Sequence, residues 1–301
     1  SVAACVAGHR RIRLAAMATA SDPKLDALRA HLRSLGSVLV CYSGGVDSAF
    51  VFAVAHEVLG DQAIAMTAVG PSLASFERVE AVEIARQIGG RHELVESHEI
   101  DDENYQRNGT DRCFYCKSEL YRLSAAKLQE WNMGVAVNGT NLDDLGDYRP
   151  GLEAAKNSGI ESPLVACGFT KEDVRRCAKL VGLGVWDKPA AACLASCLPY
   201  GTTVTRDRLE RIGALEDALH RFGLRQVRVR FHTLDASEGT REAALARVEV
   251  HPQELEAAFA VRERIVAAGK DAGFAFVTLD LQGYRTGSHN ELLQKRSLPI
   301  L

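Results

Sequence analysis

The sequence predicts an α/β protein, a doubly wound parallel sheet followed by a smaller C-terminal α+β domain. Three observations lead there. Short apolar runs alternate with helical periodicity through the first half. An apolar strand from Val38 breaks at Gly44-Gly45 and restarts as a helix, the kind of corner at which doubly wound sheets bind ligands. Beyond Trp186 the pattern changes to a polar helix and alternating strands.

In order, the patterning predicts strands at Val38 to Cys41, Ala63 to Val69, His92 to Glu96 and Gly134 to Asn138. Helices are expected near Ser48 to Val58, Ser75 to Ile88 and Lys117 to Glu130, each with small or apolar residues at three- and four-residue spacing. The second half predicts a helix from Arg206 to Phe222, strands Gln226 to Phe231 and Leu245 to Val250, a helix after His251-Pro252, and a strand Phe274 to Asp280. The Pro- and Gly-punctuated stretch Lys188 to Gly201 places the boundary, giving domains over 21–187 and 188–301. Residues 1–20 hold three Arg and no acid, a composition shared by transit peptides, upstream read-through and frayed termini; Met17 is a candidate start, and the segment is left out of the fold.

A chain of 301 residues is long enough for two domains and a substantial core. With 47% hydrophobic and 25% charged residues, and no apolar run near the roughly 18 residues of a membrane span, a soluble cytoplasmic protein is expected. A net charge of −3 gives no general attraction to nucleic acid, so any anion site is local. Eight Cys in a chain expected not to be secreted point to thiol, metal or sulfur chemistry instead of a disulfide framework.

At Ser43-Gly44-Gly45-Val46-Asp47-Ser48 the glycines clear Cβ atoms where backbone approaches a ligand, and the following helix aims free amides at the same place. Phosphate suits such a corner. A plain capped strand-to-helix turn is the other reading. The complete hexapeptide resembles the SGGxDS signature of the PP-loop ATP pyrophosphatases and lacks the Gly-Lys-Ser ending of a Walker A loop. That resemblance implies an adenine nucleotide alpha hydrolase-like fold, with Ser43, Gly44, Gly45, Asp47 and Ser48 cradling the pyrophosphate of ATP. Asp47 is the candidate contact for Mg2+.

Cys113-Phe-Tyr-Cys116 and Cys193 to Cys197 are the next unusual stretches. Paired cysteines separated by a tight turn suit one metal centre, and two pairs suit structural zinc. Three thiolates instead leave one iron of a 4Fe-4S cluster open for an extra sulfide. Asp111 to Lys117, Asn138 to Asp144, Trp186 to Ser196, Val227 to Arg230, Ala246 to Val250 and Gly283 to Ser288 follow the loop in this order. The set resembles the LarE family of ATP-dependent sulfur transferases, over roughly Leu25 to Leu293.

The resemblance implies adenylylation of a carboxylate of pyridinium-3,5-biscarboxylic acid mononucleotide, then displacement of AMP by sulfur, in nickel pincer nucleotide biosynthesis for lactate racemase. Activation is required because a free carboxylate has no useful leaving group. Sacrificial members give up a cysteine sulfur at the position of Ala192 here, so this chain resembles the cluster type, with Cys113, Cys116 and Cys193 as ligands. Cys197 stands where most relatives carry Arg: a fourth ligand, a resolving thiol and a neutral replacement all remain open. Cys5, Cys41, Cys167 and Cys177 read as buried small hydrophobes.

Arg228 and Arg230 alternate with Val227, Val229 and Phe231, so both guanidinium groups leave one strand face; a substrate phosphate or a salt-bridged solvated face fits that pattern. Ser196 resembles a third phosphate contact. Lys117 is placed near ATP phosphates or the substrate carboxylate, or is a surface charge at a helix start. Asp143 and Asp144 bind nucleotide or metal, or cap a turn. Glu216 is a metal candidate or a surface residue; Arg285 faces substrate or an interface. The partners implied are a small mononucleotide and copies of the chain, a homo-oligomer. The competing enzymatic readings are amidation or tRNA thiolation on the same ATP chemistry; a non-catalytic, zinc-holding nucleotide scaffold is the non-enzymatic one.

Overall fold

The computed structural model describes residues 20–146, 150–189, 192–234 and 242–285. Cys5, nearly all of the 1–20 extension, Ala190-Ala191 and the end of the Gly283 to Ser288 motif lie outside the described residues. What is described divides into two units, one of residues 20–105 and 110–189, the other of 106–109 and 192–285. The division falls within the stretch Lys188 to Gly201, and Lys188 lies in the first unit, ion-paired to Glu77 and Glu80.

The first unit opens with α1 (Pro23–Leu35), started by Asp22, whose carboxylate accepts the Lys24 and Leu25 amides. Then follow β1 (Val38–Cys41), α2 (Val46–Leu59), β2 (Ala63–Val69), α3 (Ser75–Ile88), β3 (Arg91–Glu96), the single turn α4 (Glu103–Gln106), α5 (Arg112–Glu130) and β4 (Val135–Val137). Three helices close it: α6 (Pro150–Asn157), α7 (Pro163–Ala166) and α8 (Lys171–Leu180). Those three are missing from the sequence reading, although Thr170 and Asp173 form a reciprocal capping box that marks the start of α8.

All four strands are parallel, in the order β3-β2-β1-β4. Val38 and Val40 of β1 pack into a core shared with α1, α2, α3 and α8. Leu39 and Cys41 point into a second core with α5 and α6. Both faces are therefore covered, which explains the uninterrupted apolar strand. Helix α2 is buried at Val46 and throughout Ser48 to Ala55, as befits a helix apolar all round. The chain steps outward from β1 to β3, then returns to the far side of β1 as β4. The order reverses between β1 and β4, so the loops leaving those strands border one crevice.

In the second unit, α9 (Arg206–Arg221) precedes β5 (Val227–Thr233), β6 (Ala244–Val250), α10 (Leu255–Ala260), α11 (Arg262–Asp271) and β7 (Phe276–Leu279). β5 pairs antiparallel with β6, and β6 parallel with β7. Val227, Val229 and Phe231 stand opposite Val250, Val248 and Ala246, the apolar face. Residues 106–109 join this unit through Asn108, fully buried in the left-handed region, whose amide donates to the Pro199 and Thr202 carbonyls at 2.8 and 3.0 Å. Among the described residues no helix is long and apolar enough to cross a membrane.

Candidate active site

The glycine corner sits at the switch point. Gly44 has φ +74°, and a Cβ there would meet Ala81 Cβ at 2.7 Å, so both conformation and packing demand glycine. Gly45 is extended and precedes α2 with no side-chain cap, leaving the first-turn amides to another acceptor. Around it the hydroxyls converge: Ser43 Oγ and Ser48 Oγ lie 3.1 Å apart, and the Gly45 amide donates to Ser43 Oγ at 3.3 Å.

Across the crevice the β4 loop comes very close. A Cβ on Gly139 would meet the Ser48 amide nitrogen at 2.7 Å, so only glycine lets the two backbones approach this far. From the same loop Asn141 Nδ2 donates to Asp47 Oδ1 at 3.2 Å. The other Asp47 oxygen takes Lys171 Nζ at 2.5 Å, from the first turn of α8. Asn141 and Lys171 were missed by the sequence reading. Asp143 and Asp144 act as caps, accepting the Lys171 and Asn141 amides at 2.8 and 3.1 Å. Asp47 is half-buried beside these partners; one carboxylate next to bound phosphates is the donor set that Mg2+ ordinarily uses. Among the described residues no group of three or more His, Cys, Asp or Glu is gathered for a metal by protein atoms alone.

The CxxC motif is helical and not a tight turn, because α5 begins at Arg112, five residues earlier than expected. Cys113 and Cys116 thus share one helix face a turn apart, Cys113 exposed and Cys116 half-buried. Lys117 follows inside the helix, five residues past its start, and is exposed. Desolvation opposes its charged form, but Tyr121, Cys116, Cys41 and Cys113 around it raise its pKa above the ordinary lysine value.

In the second unit, Cys193 heads a single turn running Leu194–Cys197, and its thiol is exposed. Ser196 Oγ donates to the Cys193 carbonyl at 2.7 Å. Arg228 Nη2 donates to the Ala192 carbonyl at 3.1 Å and Arg230 Nη1 to the Ser196 carbonyl at 3.1 Å. Both arginines therefore clamp the backbone of the cysteine-bearing turn. Each also has a carboxylate: Glu216 lies 3.5 Å from Arg228, and Glu249 lies 2.9 Å from Arg230. Glu216 is buried and accepts the Val229 amide at 3.0 Å, on the outer edge of β5. Cys197 is buried and donates its thiol to Glu216 at 3.5 Å. Desolvation, then the neighbouring Glu216, push that thiol far above the usual cysteine range. Arg285, also described, is half-buried.

Only a thiolate alkylates readily. A short iodoacetamide pulse on reduced, folded protein should modify Cys113 and Cys193 first, while Cys41, Cys197 and Cys177, whose thiol burial pushes up to about 11, react only on unfolding. Peptide mass spectrometry reads this out; Cys197 labelling as fast as Cys193 would contradict the buried pair with Glu216.

Residues 25–109, which hold the glycine corner, match the asparagine synthase family model. The chain is 41% identical to an uncharacterized protein of Synechocystis over 91% of its own length and 99% of that protein. To the pyridinium-3,5-bisthiocarboxylic acid mononucleotide synthase of Lactiplantibacillus plantarum it is 34% identical, over 94% and 99% of the two chains. An uncharacterized protein of Methanocaldococcus jannaschii is 25% identical over 83% and 91%. The near end-to-end match at 34% identity, with the Ser43–Ser48 glycine corner at a switch point, places the chain in the LarE family of PP-loop ATP-dependent enzymes.

Proposed function

We propose that this protein is an ATP-dependent sulfur transferase acting on pyridinium-3,5-biscarboxylic acid mononucleotide, in the formation of a nickel pincer nucleotide. The observation that carries this reading is the corner itself, where two hydroxyls, the free end of α2 and the Asp47–Lys171 pair meet at the switch point. A carboxylate oxygen of the substrate attacks the α-phosphorus of ATP, the bond to the β-phosphate oxygen breaks, and pyrophosphate leaves. Ser43, Gly44, Gly45 and Ser48 hold that leaving group, and Asp47 would hold the Mg2+ that offsets its charge. Sulfide-level sulfur then attacks the acyl carbon and AMP departs with the electron pair of the broken C–O bond.

Cys113 and Cys193 are exposed and Cys116 is half-buried, as is Cys167, while Cys41, Cys177 and Cys197 are buried. The family resemblance assigns sulfur handling to Cys113, Cys116 and Cys193, and a 4Fe-4S cluster on those thiols would supply the sulfide. Lys117 supports the charge developing on the activated carboxylate, and Arg228, Arg230 and Ser196 receive the substrate phosphate at the turn they already organise. The test is mass spectrometry of the pyridinium mononucleotide after anaerobic incubation with ATP and sulfide. The expected product carries sulfur in place of one carboxylate oxygen, with equimolar AMP and pyrophosphate. An unchanged substrate beside released AMP would move the second step to another nucleophile.

A further inference from the structure

Lys188 occupies a place that the catalytic reading leaves unexplained. Its side chain is 11% exposed, and its ammonium group lies 3.0 Å from Glu77 Oε2 and 2.7 Å from Glu80 Oε2, both on α3. Its third contact is the carbonyl oxygen of Gly44, in the phosphate loop, at 3.3 Å. We infer that Lys188 is a positioning residue for pyrophosphate, pinning the Gly44–Gly45 peptide so that the Gly45 amide faces the ligand.

In a trans peptide the carbonyl of one residue and the amide of the next point in opposite directions. A cation fixed on the Gly44 carbonyl therefore sends the Gly45 N–H the other way, to the side where Ser43 Oγ and Ser48 Oγ converge. Between two glycines that peptide has little intrinsic barrier to rotating as a unit, because neither neighbour has a Cβ to resist it. A phosphate loop needs its amides aimed before the ligand arrives, since reorganisation on binding subtracts from affinity. The rest of the loop is strapped to α3 as well: Tyr42 donates its hydroxyl to the Ala81 carbonyl at 3.0 Å, and Gly44 packs on Ala81. Lys188 is the one charged member of that strap. Glu77 and Glu80 together outweigh its charge, which keeps the ammonium itself from serving as the anion's direct partner and leaves it to act through the carbonyl.

The inference rests on the corner being a pyrophosphate site, and calorimetric binding of inorganic pyrophosphate and of AMP, each with Mg2+, separates the two. Lys188→Met should bind pyrophosphate about tenfold more weakly, about 1.4 kcal/mol, with AMP affinity changed less than about twofold. Lys188→Arg, which keeps a cation over the carbonyl, should recover most of the loss. The double change Glu77→Gln and Glu80→Gln, which leaves Lys188 in place but loosens it, should fall between. If wild-type protein binds no pyrophosphate, the phosphate-site reading fails and this inference with it. If wild type binds and Lys188→Met binds equally, the reading stands and the pin is refuted. Equal losses for AMP and pyrophosphate, with lowered thermal stability in both Lys188 variants, would show a merely structural lysine and also refute it.

Discussion

Ser43→Ala and Asp47→Ala each remove pyrophosphate and AMP formation while leaving the protein folded. Ser43 is exposed, so its hydroxyl contributes little to stability, yet it stands 3.1 Å from Ser48 Oγ and accepts the Gly45 amide. A preorganised donor lost from a site of developing charge costs about a hundredfold to a thousandfold in rate. Asp47→Ala should do as much harm by a different route. It frees the Lys171 ammonium, now 2.5 Å from Asp47 Oδ2, to grip phosphate oxygens directly. That variant is expected to keep or improve its affinity for ATP and to lose turnover, a split between binding and rate that a collapsed loop would not produce. Asp47→Asn keeps an acceptor for Asn141 Nδ2 and separates the loss of charge from the loss of that bond. Quantifying AMP and pyrophosphate in the presence of the mononucleotide decides the matter; release within tenfold of wild type would reduce the corner to a structural turn.

The corner was legible because the hexapeptide and the elements on either side of it are contiguous in sequence. A positive φ and a close approach to Ala81 restrict position 44 to glycine, and the apolar strand before it and buried helix after it declare the α/β frame. Asp47's partner Lys171 was not legible, because it lies 124 residues away and nothing in its own neighbourhood marks it except a capping box. The helical CxxC was missed for another reason. Cys, Phe and Tyr are indifferent helix formers, so periodicity placed the helix start at Lys117, whereas packing of α5 on the sheet carries the helix back to Arg112. On β5 the alternation assigned Arg228 and Arg230 to one face, as observed, but it could not reveal what covers that face. Strand periodicity gives the direction of a side chain; the carbonyls and carboxylates it meets come from the turn around Cys193, from α9 and from β6.

Arg228→Ala carries the second large effect, and it has two separable parts. Glu216 is buried with three partners: Arg228, the Cys197 thiol and the Val229 amide. Burial raises its folded-state pKa above the ordinary glutamate value, and Arg228 is the strongest influence pulling it back. A carboxyl whose pKa is raised on folding binds more protons folded than unfolded, so its contribution to stability falls as pH rises from the unfolded value towards the folded one. Removing Arg228 raises the folded value further and deepens that fall. The loss should reach about 3 kcal/mol at pH 8, the range for a buried pair broken on one side, and shrink near pH 5, where the neutral acid takes over. Glu216→Gln in the Arg228→Ala background should restore most of the stability at pH 8 and flatten the pH dependence. Both tryptophans, Trp131 and Trp186, belong to the first unit, so denaturation followed by far-ultraviolet circular dichroism is the proper measurement, with tryptophan fluorescence reporting on the other unit. The functional part is read in the double variant, whose stability is repaired. There the mononucleotide should bind more weakly by about 1.5 to 3 kcal/mol for the lost charge-assisted bond, while ATP affinity is unaltered. Equal weakening of both ligands would take Arg228 out of the substrate phosphate site and leave it the clamp on the Ala192 carbonyl and the pair with Glu216.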